Sequence, residues 1–484
     1  MKKNWFEVDA AGLRQQLEGR RGIAALLLEL LQNALDEDGV TTIEMVLTAT
    51  PGKPEATFSV EDDSPNGFRD MSDAYTLFAP SYKKGEATKR GRFNVGEKLV
   101  LALCEEAVLT STRGTVIFDR DGRRQTNAVR ALGTKVVCRL RMTHADTAEL
   151  DRLIGTVLIP PTCKARVTYN GAPLLARTPV AVLEGTLPTE LAGADGVIRR
   201  STRKTKVYVY EPRAGEAPTV YEMGLPVVEV EGKFHLDVGQ KVPVNLERDN
   251  VPPSYLRALR VLTLNALHGK LEKDDFTAAW VADAVEDKRV EVAAVQSYLT
   301  AKHGADRVAV DVMDPDATRR AQAAGAVVVY GRSESPNVWE KAREGALIPP
   351  ASARFGTKLE SLDRAVSEDE WTVGIRNIAA YAKALAAAVL GLDLAVEVVD
   401  NPEASMSACY GHGHLKFNVG TLGASWFDRG PVVAVNDLLI HEFGHEFSGD
   451  HLSSAYYAAL TNLGAKVVDL AIRRPEFFEP FWPA

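Results

Sequence analysis

Four cysteines in 484 residues are few, and Cys104, Cys138, Cys163 and Cys409 stand far apart with no CxxC spacing. That excludes a disulfide scaffold and a zinc–thiolate cluster, and reads as reduced thiols of a cytoplasmic protein. No apolar run is long enough to cross a bilayer. The longest, residues 379–399, is broken by Lys383, Asp393 and Glu397 and reads as a buried helix leading into a strand. The opening MKKNWFEVDAAGLRQQ lacks the apolar stretch of a signal peptide. A basic excess is missing too: 57 Lys and Arg against 65 Asp and Glu give a net charge of −8, which argues against a general nucleic-acid coat. There is no internal repeat and no low-complexity tract. What is present, 45% apolar and 25% charged residues, is an ordinary globular composition, and the length calls for several cores.

The pattern predicts an α/β multidomain chain with four parts: 1–148, 149–268, 269–350 and 351–484. Residues 22–37 are strongly helical, 41–48 and 55–60 alternate like strands, and 91–103 is a glycine turn opening a helix. Strands dominate from about 150 until Pro253 starts a helix, and 270–350 is a small α/β region ending at Pro349-Pro350. The last block holds five of the nine histidines, which points to localised chemistry.

Glu29, Asn33 and Asp36 sit inside an apolar helix at spacings that stack them on one face. Asn33 offers a neutral oxygen suited to Mg²⁺, and Glu29, one turn earlier, a base for a water. A strand ending in Glu61-Asp62-Asp63 follows. Then Gly91-Arg-Phe-Asn94-Val95-Gly96-Glu-Lys98 forms a turn whose backbone N–H groups can hold phosphate. These three segments, in this order, resemble the GHKL ATPases, the family of gyrase B, histidine kinases, mismatch-repair ATPases and the ninety-kilodalton heat-shock chaperones. The resemblance implies a Bergerat α/β sandwich over residues 1–148. Glu29 becomes the hydrolytic base and Asn33 the Mg²⁺ ligand in a motif completed by Asp36. Asp62 becomes the reader of the adenine amino group, with Asp63 as its rival because the acidic turn carries one extra residue. Gly67 would close that turn, Gly91, Asn94, Val95, Gly96 and Lys98 would form the phosphate lid, and Thr134 would support the adenine. ATP and Mg²⁺ are the implied cofactors, and a homodimer through the ATPase heads the implied assembly.

Further on, Lys241 and Arg248 stand in a polar segment between apolar stretches, where a cation could reach the γ-phosphate. The run from Pro243 to Arg248 resembles the heat-shock chaperone segment whose Arg does this. Lys241 resembles the gyrase-type transducer lysine more loosely. Residues 149–268 are then a transducer domain.

Near the C-terminus His441-Glu442-Phe-Gly-His445 is an HExxH in a helical setting. His441 and His445 can share one Zn²⁺, with Glu442 beside them as base for water. His451, ten residues after His441, resembles the third ligand of HExxHxxGxxH zincins, with Asp450 as the alternative. Residues 409–418 read as one strand, on which His412 and His414 are supporting rather than ligating. Tyr456 or Tyr457 is a candidate hydrogen-bond donor to an oxyanion, although either also suits core packing. The sum predicts an ATP-gated zinc metallopeptidase acting on a protein or peptide, soluble, with phage or mobile-element biology as context. The rival is a chaperone-like or DNA-associated ATPase whose C-terminal zinc is structural.

Overall fold

The computed structural model describes residues 22–482 except 69, 78–81, 93–94, 194–195, 246–249, 312–313, 357–362, 405, 450 and 452. Asn94, Arg248 and Asp450 therefore lie outside the described residues. The chain divides into two compact units, Met1–Lys302 with Pro336–Lys341, and His303–Ser335 with Ala342–Ala484. Among the described residues no helix is long and apolar enough to cross a membrane.

In the first unit, helix α1 (Ile23–Leu35) carries leucine on nearly every side. Leu26, Leu27, Leu30 and Leu31 are all buried, as only a central helix allows. It lies on a mixed eight-stranded sheet of order β5-β4-β3-β6-β2-β1-β7-β8. The strands are β1 (Thr42–Ala49), β2 (Glu55–Asp62), β3 (Cys104–Ser111), β4 (Gly114–Asp119), β5 (Gly122–Thr126), β6 (Lys135–Arg141), β7 (Arg166–Tyr169) and β8 (Ala172–Pro173). Helix α2 (Gly96–Leu103) runs directly into β3, and α3 (His144–Thr156) opens on a Thr143/Asp146 capping box. Ala56, Phe58 and Val60 alternate inward from β2 to meet Leu27, Leu31, Leu150 and Ile154 in one core. Because β7 pairs parallel with β1, this first layer continues to Pro173.

A second, five-stranded sheet follows, of order β12-β11-β13-β10-β9. It comprises β9 (Ala181–Ala192), β10 (Ile198–Tyr210), β11 (Thr219–Glu222), β12 (Leu225–Glu229) and β13 (His235–Val238). Helix α4 (Pro253–Leu267) starts with proline at its first position, where the missing N–H costs nothing, and buries Tyr255, Leu259 and Leu264.

The second unit contains a parallel pair, β14 (Arg307–Ala309) and β15 (Val327–Val329). It also holds a four-stranded sheet of β16 (Arg364–Ala365), β17 (Ala395–Asp400), β18 (Ala408–Gly411) and β19 (His414–Asn418), in the order β16-β17-β19-β18. Three helices, α5 (Val373–Val389), α6 (Val433–Gly444) and α7 (Ser454–Arg473), share a core with the larger sheet around Tyr381, Leu385, Phe417, Leu439, Phe443 and Leu463. Residues 409–418, expected as one strand, form a hairpin instead. His412 and Gly413 turn the chain at φ 50° and 77°, a pair of left-handed residues that suits the twist of a two-residue turn.

Candidate functional site

In the first unit the described nucleotide-site candidates fall in two clusters, one where α1 meets the 90–98 segment and one around Asp62. Glu29, buried in α1, lies against the first residue of α2. A Cβ built on Gly96 would sit 2.3 Å from Glu29 Oε2, so only glycine admits the carboxylate there. One turn on, Asn33 Nδ2 donates to Glu97 Oε2, and Glu97 also receives Lys98 Nζ. Asp36, two turns from Glu29, accepts from the Gly91 amide (2.8 Å) and from Arg90 Nη1 (2.8 Å). All three polar positions of α1 thus meet the 90–98 segment. Glu97 was not foreseen, because nothing in its local sequence marks it as the partner of a residue 64 positions away. Lys83 joins from an adjacent loop, at 2.6 Å from Glu37 Oε1 and 3.4 Å from the Asn33 carbonyl.

Strand parity places Asp62 and Asp63 on opposite faces. Asp62 falls in phase with Ala56, Phe58 and Val60, opposite the buried Ile43, on the face that α1 covers. Burial pushes its carboxyl above the usual range, against hydrogen bonds from Ser64. Asp63 points the other way. Its partial burial is outweighed by bonds from the Thr41 side chain and the Thr41 and Thr42 amides, which hold it at about 2. Thr134 is buried beside Asp62, its carbonyl accepting the Asp62 amide at 2.9 Å and its hydroxyl 3.2 Å from Ser111 Oγ. Gly133 and Gly67, at φ 68° and 55°, let these segments touch. A Cβ on Gly133 would fall 1.7 Å from the Asp62 carbonyl oxygen, and one on Gly67 would fall 2.3 Å from Ser111 Oγ.

The lid segment is also fastened to the second sheet. Arg92, with Glu222 at the end of β11, forms a buried two-pronged ion pair, and Arg92 Nη2 adds a 2.6 Å bond to the Val242 carbonyl. Arg90, already on Asp36, also donates to the Met223 carbonyl. Lys241, expected to reach a phosphate, is fully buried, with its Nζ 2.6 Å from the Lys83 carbonyl and 3.1 Å from that of Lys84. Lys98 and Asp36, expected as nucleotide ligands, likewise engage protein groups here, and Val95 is buried at the head of α2.

The second unit gathers His441, His445 and His451, one ring nitrogen of each lying within 4.8 Å of the others. His441 and His445 stand one turn apart at the end of α6, and His451 returns from the turn before α7. The Nε2 atoms of His441 and His451 are 3.3 Å apart. Zinc–nitrogen bonds of about 2.0–2.1 Å at a tetrahedral angle span about 3.3 Å, so the spacing of this pair matches that ion. Burial, with the neighbouring imidazoles, lowers His441 to about 4, and burial lowers His445 as well. Both are therefore neutral at pH 7, as metal ligation requires. His445 Nδ1 lies 3.2 Å from the Ser448 carbonyl, which can only accept, so its Nε2 carries the lone pair. Glu442 is buried next to them, and burial raises its carboxyl to about 7, partly offset by the Tyr410 amide. His412 and His414 are exposed on the hairpin and take no part in the cluster. Of the two tyrosines considered, Tyr457 is exposed, whereas Tyr456 is buried and hydrogen-bonded to His441.

No family model matches the chain, and no curated protein matches it. Among solved structures it is similar to the ATPase region of Saccharomyces cerevisiae topoisomerase II bound to ICRF-187 (dexrazoxane), at 12% identity, with 42% of this chain and 62% of that chain covered and a TM-score of 0.28. A second structure of the same region gives 13% identity, 42% and 61% coverage and a TM-score of 0.27. The chain thus spans about three-fifths of the length of those structures.

Proposed function

We propose that this chain is a GHKL-type ATPase, dimerising through its ATPase heads, whose nucleotide-driven rearrangement gates a zinc-dependent peptidase at its C-terminal end. The ATPase half is carried by the meeting of Glu29 with Gly96, which sets a buried carboxylate at the N-terminal turn of α2, where backbone N–H groups gather. Asp62 accepts from the adenine amino group, with Thr134 behind it. Asn33, its Nδ2 held by Glu97, would present its carboxamide oxygen to Mg²⁺, and Glu29 would orient and deprotonate the attacking water. Arg248 is proposed as the cation that meets the γ-phosphate, since Lys241 is engaged elsewhere.

The peptidase half is supported by the three-imidazole cluster with a buried glutamate beside it. His441, His445 and His451 would hold zinc, which when bound supplies Lewis-acid polarisation of a carbonyl. A carboxyl near pH 7, as Glu442 is, can take a proton from water and give it to the leaving amine. A nucleic-acid-associated ATPase with a structural metal is the second reading. It is favoured by β10, which carries Arg199, Arg200, Arg203, Lys204 and Lys206 and no acid, although Lys204 is paired with Glu184 at 3.1 Å and Arg200 with Glu190 at 3.9 Å. The test is the purified chain itself, assayed for Mg²⁺-dependent ATP hydrolysis and for zinc content in wild type and His445→Ala. Hydrolysis together with one zinc that disappears in the variant is expected. A chain that neither hydrolyses ATP nor takes up zinc overturns both halves.

A further inference from the structure

Tyr456 lies in the first turn of α7, which Ser453 caps by accepting the Tyr456 amide at 3.0 Å. Its ring packs among the imidazoles, with centroids 5.1 Å from His445 and 5.0 Å from His451. Such an approach needs a gap in α6, and Gly444 provides it. A Cβ there would sit 2.8 Å from Tyr456 Cε2 and 3.0 Å from Leu460 Cδ2. The hydroxyl reaches two groups of one residue, His441 Nδ1 at 2.9 Å and the His441 carbonyl oxygen at 3.0 Å.

A phenol has one proton and a carbonyl has none to give. The Tyr456 O–H must therefore go to the carbonyl, and the contact with Nδ1 is satisfied only when Nδ1–H donates to the phenol oxygen. A neutral imidazole protonated on Nδ1 has its lone pair on Nε2, the atom that faces His451. We propose that Tyr456 is a positioning residue of the metal site, fixing both the tautomer and the ring orientation of His441 so that Nε2 is presented as a ligand. This assigns the tyrosine to the ligand sphere rather than to an oxyanion, and it rests on the metal-site reading above. The oxygen of a phenol turned onto the back of a ligand imidazole also raises the basicity of that ligand, as carboxylates and carbonyls do at other metal centres.

The test uses the full chain and Tyr456→Phe, which keeps the ring against Gly444 and removes only the hydroxyl. In the metal-free protein, ¹⁵N imidazole NMR should show His441 as the Nδ1–H tautomer in wild type and a shift toward Nε2–H in the variant. Zinc affinity, measured by competition with a chromophoric chelator, should fall about 10- to 100-fold. An unchanged tautomer or an unchanged affinity in Tyr456→Phe overturns the positioning role. If that variant does not fold, the wild-type spectrum alone decides, because an Nε2–H tautomer for His441 contradicts the proposal. Failure of the underlying reading looks different: wild type takes up no zinc at all, even where the Nδ1–H tautomer is seen.

Discussion

Arg92 and Glu222 are separated by 130 positions in the chain and meet as a buried two-pronged ion pair that joins the lid segment of the first sheet to the end of β11 in the second. The Glu222 carboxylate also accepts the Val242 amide at 2.8 Å, close to the loop that carries Lys241. Three contacts, from Arg90, Arg92 and Lys241, therefore cross between the layers and tie the 83–92 stretch to the second sheet.

Glu222→Ala should destabilise the first unit by about 3–5 kcal/mol, because it leaves the buried Arg92 charge with no counter-charge and only the Val242 carbonyl to accept from it. The double change Arg92→Met with Glu222→Leu should recover most of that loss while still uncoupling the layers. Urea unfolding of the two variants beside wild type measures the loss and its recovery, and a Glu222→Ala chain as stable as wild type would show that the pair contributes nothing to stability.

Glu29→Ala should bind nucleotide with unchanged affinity and lose turnover about 10²- to 10⁴-fold, the usual contribution of a general base. Gly96→Ala should produce a similar loss from the other side of the contact, since its methyl group would come within 2.3 Å of Glu29 Oε2 and displace the carboxylate. Both are read by steady-state phosphate release beside fluorescent-nucleotide binding. Undiminished hydrolysis in Glu29→Ala removes that residue from its role.

Asp237 gives the first unit a pH signature. Burial raises its carboxyl from the ordinary 3.8 to about 7, against a 2.7 Å bond from the Gly224 amide and the field of Arg90. The folded chain keeps this proton up to about pH 7 and the unfolded chain releases it near 3.8, so between those values the folded state binds more protons. Stability from this group is complete below about pH 3.8 and is lost as pH rises to about 7. Asp237→Asn stays neutral throughout. Its stability relative to wild type should increase across that window, and a difference that does not change with pH would refute the assignment.

Gly444→Ala should cost metal affinity without touching a ligand, because the added methyl displaces the Tyr456 ring. Zinc competition on this variant should show at least the loss expected of Tyr456→Phe, and an unaffected affinity would mean that α6 and α7 can separate without disturbing His441.

Much of this arrangement was legible where spacing alone fixes geometry. Glu29, Asn33 and Asp36 share a face because a helix repeats every three to four residues, and His441 and His445 share one for the same reason. Strand parity in β2, carried two residues beyond Val60, puts Asp62 on the inward face and Asp63 on the other. The glycines at 67, 91, 96 and 133 marked close approaches but not what they approach. The remainder depends on tertiary contacts that no local pattern encodes. Glu97 on Asn33, Arg92 on Glu222, Lys241 on the Lys83 carbonyl and Tyr456 on His441 are each defined by a partner from another element. The hairpin at His412–Gly413 was missed although its signal was present, since Gly-His-Gly between two alternating runs is a turn composition.

The most direct test of the central claim is cleavage of an unfolded model protein by the zinc-loaded chain, with and without ATP and Mg²⁺, beside Glu442→Gln. Cleavage that changes with nucleotide and disappears in Glu442→Gln while zinc stays bound is expected. Cleavage that survives in Glu442→Gln, or that ignores nucleotide in a chain that hydrolyses it, would contradict an ATP-gated peptidase.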